Sequence, residues 1–283
     1  MLREARRRRG LALMGICNVT PDSFSDGGKY LTFKAACDHV DALVLEGADL
    51  VDIGAESTRP GAIPVTAAAQ LARILDVVRY AAKKVCVSVD TTNAEVARAC
   101  LEAGAVAVND VSCLADDALA RAVSEAGGTL LLMHARGSQA EMRGFSVYPD
   151  EGYGDVVEDV LAEWNRAADR AASQGIPRSA IVMDPGLGFA KNARQSLELL
   201  RRLSEFVRKV DAPILVGASR KSFLRLVDPD APATERIGAS IAAATVAMRA
   251  GASLLRVHDV RATRQAVDLE RALAAVPGPG GAS

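Results

Sequence analysis

The chain predicts a single α/β domain built as a (β/α)8 barrel. Eight short apolar runs recur along its 283 residues, and amphipathic Ala-, Leu- and Arg-rich stretches separate them. Gly-Ala pairs at 47–48, 104–105 and 251–252 stand where a helix stops and a strand starts, as a helix C-terminus favours. A doubly wound open sheet is the rival architecture. Against it, no Gly-x-Gly-x-x-Gly follows the first run, and functional polar residues follow many strands rather than one switch point. In a barrel those residues share one face, so the active site is expected at the C-terminal ends of the strands.

Taken in order, the first strand is expected at 11–17, a continuous apolar run ended by a segment that cannot extend it. Pro21 cannot donate to a sheet ladder, and Gly27 and Gly28 free the backbone to turn. A helix at 33–46 and a strand at 50–54 follow, then a helix at 66–82 and a strand at 85–89. The alternation continues with a helix at 94–102, a strand at 106–108, a helix at 116–126 and a strand at 129–133. The last units are a helix at 155–173, a strand at 181–183, a helix at 196–209, a strand at 214–216, a helix at 235–250, a strand at 254–257 and a closing helix at 261–274. The expected organisation is a basic tail at 1–9, the barrel at 10–275 and a Pro- and Gly-rich disordered tail at 276–283.

Composition excludes several classes. A net charge of −1 sets up no field for nucleic acid or membrane, and 4% aromatic residues leave few platforms for stacked bases. The apolar stretch after the basic N-terminus is too short for a signal peptide or a membrane span. Cys17, Cys37, Cys86, Cys100 and Cys113 are odd in number, scattered and without a Cys-x-x-Cys pair. Free thiols in a reducing cytoplasm are expected.

The chemistry gathers at strand ends. Asp90, Asn109 and Asp184 each close an apolar run, and carboxylates plus an amide suit a flat heterocycle with an amino-pyrimidine edge. Arg256 and His258 flank Val257, so both reach one side of the last strand, where an anion fits. Asn18 ends the first strand with an amide oxygen suited to Mg²⁺, and no His or Cys cluster offers a Zn²⁺ site.

Seven motifs carry a resemblance over nearly the whole chain: Asn18-Val-Thr-Pro-Asp-Ser-Phe-Ser-Asp-Gly-Gly28, Gly54-Ala-Glu-Ser-Thr-Arg-Pro-Gly61, Ser88-Val-Asp-Thr91, Asn109-Asp-Val-Ser112, Asp184-Pro-Gly-Leu-Gly-Phe189, Ser219-Arg-Lys-Ser222 and Arg256-Val-His-Asp-Val260. In this order they resemble the dihydropteroate synthase family, pterin-binding TIM barrels of folate biosynthesis. The resemblance implies a transferase that joins 6-hydroxymethyl-7,8-dihydropterin diphosphate to p-aminobenzoate by an SN1-like path. It implies pterin contacts from Asp90, Asn109, Met133, Asp184 and Lys221. It implies diphosphate contacts from Asn18, Arg59, Arg256 and His258, with Mg²⁺ on Asn18. The p-aminobenzoate slot falls to Phe24, Thr58, Pro60, Phe189 and Ser222, and catalytic support to Asp22, Asp26, Arg59 and Lys221. A homodimer through exterior helices and sulfonamide inhibition are further implications.

The chain departs from the family pattern at Ala135, where Met-His-Met is usual, and lacks the glycine often found after Phe223. Three other readings are weighed: a corrinoid-linked pterin methyltransferase, a non-catalytic pterin-binding paralogue and a Lys221 Schiff-base aldolase. The intact loops at 18–28 and 57–61 weigh against the first and the last. The full set of pocket residues weighs against the second.

Overall fold

The structure is a computed structural model that describes residues 10–19, 33–56, 65–137 and 147–276. Its strands are β1 (Ala12–Asn18), β2 (Leu50–Gly54), β3 (Cys86–Asp90), β4 (Ala107–Asp110), β5 (Thr129–Met133), β6 (Ile181–Asp184), β7 (Leu215–Val216) and β8 (Leu254–Val257). All pair in parallel in the order β6-β5-β4-β3-β2-β1-β8-β7. A parallel bridge between Met183 and Ile214 joins β6 to β7, so the sheet closes into the expected barrel.

The described helices are α1 (Phe33–Leu45), α2 (Ala67–Ala81), α3 (Ala94–Glu102), α4 (Asp117–Glu125), α5 (Val156–Ser173), α6 (Ala193–Arg201), α7 (Leu203–Lys209), α8 (Ile237–Arg249) and α9 (Val260–Ala275). Five start where a side chain takes up free backbone N–H groups: Thr66, Asn93, Asp116, Asp155 and Asn192. Each such cap is worth about 1 kcal/mol. Several stop at a glycine in the left-handed region, with Gly47, Gly104, Gly175 and Gly251 at φ between 97° and 111°. One expectation fails. The helix read at 196–209 is two helices that meet at Arg202, and the first begins at Ala193. The early start comes from a capping box between Asn192 and Gln195. At the break, Arg202 binds Asp155 and Glu205.

Side chains alternate across each strand, and the two faces have different chemistry. Outward residues pack under the helices, where Trp164 of α5 is fully buried and donates to Leu132 O at 2.9 Å. Inward, Ala12, Met14, Leu50, Ala107, Leu131, Val182, Leu215 and Leu254 form an apolar plug. Two residues further along β2, β4, β6 and β8 the inward positions are Asp52, Asn109, Asp184 and Arg256. The barrel interior therefore changes from apolar to polar toward the strand C-termini.

The segment after β6 turns back over the end of β5. Gly186 sits at φ 70°, and a Cβ there would lie 2.0 Å from His134 O. Gly186→Ala is expected to destabilise the protein by about 3 kcal/mol, through a strained backbone and a direct clash with main chain. Urea unfolding checks this, and an unchanged midpoint would mean that the loop does not fold back as described.

Candidate active site

The polar end of the barrel is organised by one guanidinium. Arg256 donates through Nε to Asp52 Oδ2 at 2.7 Å and through Nη2 to Asp90 Oδ2 at 2.8 Å. Asn109 Nδ2 donates to the same Asp52 oxygen at 3.0 Å. Strand register sets the heights. Asn18, Gly54, Asp90 and Asn109 form one row across β1 to β4, while Asp52 aligns with Ser88 one inward step below. Asp52 is wholly buried, and its Oδ1 has no partner among the described residues. Burial pushes the Asp90 carboxyl up to about 7, against the pull of Arg256 and with the push of Asp52, Asp110 and Glu56.

Across the mouth, Asp184 is held by the N–H of Gly186 at 2.7 Å. Burial raises its pKa, while Lys221, Gly186 and Arg256 oppose the rise. A Cβ on Gly217 would lie 3.9 Å from Asp184 Oδ2 and 3.8 Å from Arg256 Cβ, so this glycine keeps the space between them open. Lys221 Nζ donates to Leu187 O at 2.5 Å and lies 4.5 Å from the centre of the Phe189 ring. Burial brings the Lys221 amine down to about 8. Phe189 packs with Val111 and Met133, against which Ala135 lies, as a small apolar wall apart from the main core.

The turn carrying Lys221 is strained and braced. Arg220 takes φ 59°. Its side chain pairs with Asp259 at 2.6 and 3.0 Å, its N–H meets Ser240 Oγ at 2.9 Å, and Arg236 holds its carbonyl at 3.1 Å. Ser219 Oγ accepts from the His258 backbone N–H and lies 3.0 Å from His258 Nδ1. Donation of the hydroxyl proton to Nδ1 leaves the ring proton on Nε2. Burial, with Arg256 and Arg220 nearby, pushes His258 down to about 3, so the ring is a neutral donor.

Of the residues expected from sequence, the structure gathers Asp90, Asn109, Met133, Asp184, Phe189, Lys221 and Arg256 around this mouth. Asn18 joins their row on β1, and His258 follows β8. Ser222 opens a short 3-10 turn, Ser222–Leu226. Asp22, Phe24, Asp26, Thr58, Arg59 and Pro60 lie outside the described residues, as do the tails at 1–9 and 277–283. All five cysteines are free, as expected; Cys17 is buried and Cys86 half-buried. His39 donates through Nε2 to Ile16 O, 3.1 Å away.

Sequence reasoning missed Asp52 and Lys191. Asp52 carried a signal, because a carboxylate flanked by Val51 and Ile53 in a buried strand requires a partner. Lys191 had none, since a lysine before a helix reads as solvated. It is wholly buried, and burial lowers its amine to about 7.

Among the described residues no group of three or more His, Cys, Asp and Glu side chains could hold a metal. Asn18 offers a different kind of site. Asn18 Oδ1 and Asp90 Cβ stand 3.5 and 3.3 Å from where a Gly54 Cβ would be, so the glycine lets an amide oxygen and an aspartate side chain lie close together at the rim. Such a hard-oxygen rim fits Mg²⁺ that shares its coordination with a substrate phosphate.

Asp90 gives the site a pH signature. Its carboxyl binds a proton more tightly folded, near 7, than at the ordinary value of 3.8. The stability it contributes is therefore present at acid pH and lost as pH rises from about 4 through about 7. In thermal melts across that window, Asp90→Asn is expected to flatten the decline. Parallel wild-type and variant curves would place the Asp90 pKa outside it.

The family model for pterin binding enzymes matches residues 14–258. Over 90% of both chains, this one is 45% identical to the dihydropteroate synthase of Mycobacterium leprae (strain TN). It is 39% identical to that of Escherichia coli (strain K12), covering 90% of this chain and 89% of the relative. The dihydropteroate synthase of Yersinia pestis, solved with a sulfonamide drug, superposes with a TM-score of 0.86 at 36% identity, covering 94% and 95% of the two chains. The Xanthomonas albilineans enzyme, solved with 4-aminobenzoic acid, gives a TM-score of 0.86 at 38% identity over 94% of each. With these matches spanning the barrel and its polar mouth, the chain belongs to the pterin-binding enzyme family, among the dihydropteroate synthases.

Proposed function

We propose that this mouth binds 6-hydroxymethyl-7,8-dihydropterin diphosphate and p-aminobenzoate, and converts them to 7,8-dihydropteroate and diphosphate. The observation that carries the reading is the convergence of Asp90, Asn109, Asp184, Lys221 and Arg256 on one opening beside the Val111–Met133–Phe189 wall. A pterin is flat and apolar on its faces and polar at its edges, and this opening offers both surfaces. Asp184 accepts from the amino-pyrimidine edge, Asn109 and Asp90 meet the ring at the end of β4 and β3, and Lys221 donates to it. Phe189, Ser222 and the Lys221 stem take p-aminobenzoate, with Phe24, Thr58 and Pro60 completing the slot.

The bond from the exocyclic methylene to diphosphate oxygen breaks first, and the electron pair leaves with diphosphate. Arg256, His258 Nε2–H and Arg59 stabilise that departing charge, while Asp22 and Asp26 steady the pterin cation. The aryl amine then bonds to the methylene and releases its proton afterward, so no early general base is required. Asn18 would hold Mg²⁺, which when bound supplies charge neutralisation on the diphosphate. Sulfonamides, as mimics of p-aminobenzoate, would enter the same slot; the Yersinia pestis relative was solved with such a drug.

Two wider features belong to the same reading. The outer face of α8 exposes Ile237 and Val246, and neighbouring α9 exposes Leu269 and Leu273. A second copy of the chain covering these helices makes the enzyme a homodimer. Five free cysteines support a cytoplasmic location, where thiols stay reduced. Among the described residues no helix is long and apolar enough to cross a membrane.

Diphosphate release measured with the pterin diphosphate, with and without p-aminobenzoate, tests the reaction; release in neither case would remove it. Asp184→Ala is expected to weaken pterin binding by about 2–4 kcal/mol, the loss typical of one preorganised polar contact. Calorimetry with a phosphate-free dihydropterin reads this directly, and wild-type affinity would take Asp184 out of the pocket.

Binding is expected to be ordered, with the pterin diphosphate first. Arg59 is flanked by Thr58 and Pro60 in sequence, so an anion that engages Arg59 also restrains the other two. The first ligand then bears the ordering cost for the second. Calorimetry should detect p-aminobenzoate binding appreciably only with diphosphate and Mg²⁺, or with the pterin diphosphate, present. Equal affinity for the empty enzyme would indicate a preformed slot.

A further inference from the structure

Asp52 does more than neutralise Arg256. Its Oδ2 accepts from Arg256 Nε at 2.7 Å and from Asn109 Nδ2 at 3.0 Å. A carboxylate paired with a guanidinium only accepts hydrogen bonds, so the Asn109 amide must turn its NH2 toward Asp52. Amide oxygen and nitrogen are otherwise interchangeable in shape, and here the partner decides between them. Asp52 lies one inward step below Asn109 in the barrel, since Asp52 aligns with Ser88 and Asn109 with Asp90. With the nitrogen directed down into the barrel, Asn109 Oδ1 faces up toward the mouth. Arg256 occupies one oxygen of neighbouring Asp90, so the Asn109 oxygen adds an uncharged acceptor to this stretch of the rim.

We propose that Asp52 is a positioning residue that fixes Asn109 with its carbonyl oxygen toward the bound heterocycle, and so selects a ligand that presents an N–H at that edge. The inference rests on the reading of the mouth as a pterin site and assigns the polarity of one of its contacts. The reversed amide would present an NH2 and would select a ring acceptor instead. Asp52 itself touches no ligand, because it is wholly buried beneath Asn109.

An exchange of the two side chains tests this. In Asp52→Asn, the new amide keeps its oxygen on Arg256 Nε and can turn its nitrogen to Asn109 Oδ1, so the Asn109 amide is free to reverse. Affinity for 6-hydroxymethyl-7,8-dihydropterin, measured by calorimetry, is expected to fall about 10- to 100-fold, as for a mispaired buried polar group. In Asn109→Asp, two carboxylates face each other, and binding falls at least as far. The double variant Asp52→Asn with Asn109→Asp keeps the site charge. The amide then at position 52 keeps its oxygen on Arg256 Nε and donates through its nitrogen to the carboxylate at position 109, whose second oxygen still accepts at the mouth. Binding is expected to recover to within about tenfold of wild type, a coupling that independent structural damage would not produce.

A double variant that binds no better than the weaker single one overturns the inference. So does an Asp52→Asn protein within about twofold of wild type, well under the loss expected for mispairing. Thermal melts establish which proteins are folded. Should Asp52→Asn alone fail to fold, the double variant against Asn109→Asp decides. Failure of the wild type to bind the dihydropterin would remove the pterin reading itself, and the inference with it. Wild-type binding without recovery removes the inference only.

Discussion

A guanidinium inside a barrel exists only where carboxylates meet it. Transfer of one ion out of water costs several kcal/mol, and breaking a buried pair costs about 3–5 kcal/mol because the surviving charge has no partner. Arg256 side-chain exposure is 18%, Asp90 5% and Asp52 zero, so solvent does little for any of them. The three residues come from β8, β3 and β2, and they tie the two ends of the chain into one polar centre. The orientation of Asn109 and the place of the Arg256 guanidinium both follow from this ion cluster, while burial raises the Asp90 carboxyl against the pull of Arg256.

The cluster can sit where it does because the barrel changes character along its axis. Below it, Leu50, Ala107, Val182 and Leu254 fill the interior as an apolar plug. Two residues on, the same strands present Asp52, Asn109, Asp184 and Arg256. A strand rises about 3.3 Å per residue, so stable core and reactive mouth are separated by less than about 7 Å. Strands hold side chains more rigidly than loops, which suits a heterocycle that must be held still while its diphosphate departs. Electrostatic stabilisation then requires no reorganisation at the moment the bond breaks.

The sequence makes the barrel legible through its repeats. Eight apolar runs and the glycines after helices locate every strand to within one or two residues. Helix ends were harder to read where a polar cap decided them: Asn192 and Gln195 start α6 a turn ahead of its first leucine, Leu197, and Arg202 divides it from α7. Strand-end residues such as Asp90, Asn109 and Asp184 were recognisable because a polar group ending an apolar run is conspicuous. Their pairings were not. Arg256 and Asp52 are 204 positions apart, and only barrel closure makes them neighbours. Arg220 and Asp259 illustrate the same point, since their pairing braces a turn whose strained backbone no local pattern announces.

The wall of the pocket shows why a lysine can be invisible in sequence and still shape a site. Phe189 and His134 expose main-chain carbonyls to a dry interior, and an apolar residue behind them would leave acceptors unpaired. Lys191 Nζ meets Phe189 O and His134 Nδ1 at 2.9 Å, with His134 O at 3.5 Å. The His134 Nε2 then faces Glu163 Oε2 at 3.0 Å, and Arg136 binds both oxygens of Glu163. Acceptance at Nδ1 assigns the proton to Nε2, and burial with Lys191 nearby keeps His134 neutral, near 4. This chain of bonds runs from the barrel mouth to α5 and carries charge of both signs, yet none of it enters the pocket. Its product is mechanical: the loop from Asp184 to Lys191 is fixed from behind, so Leu187 O can meet Lys221 and the Phe189 ring can stand against Met133. The apolar front of the wall therefore depends on the polar bracing at its back, and Ala135, small where the family usually has methionine, leaves that front bounded by Met133, Val111 and Phe189.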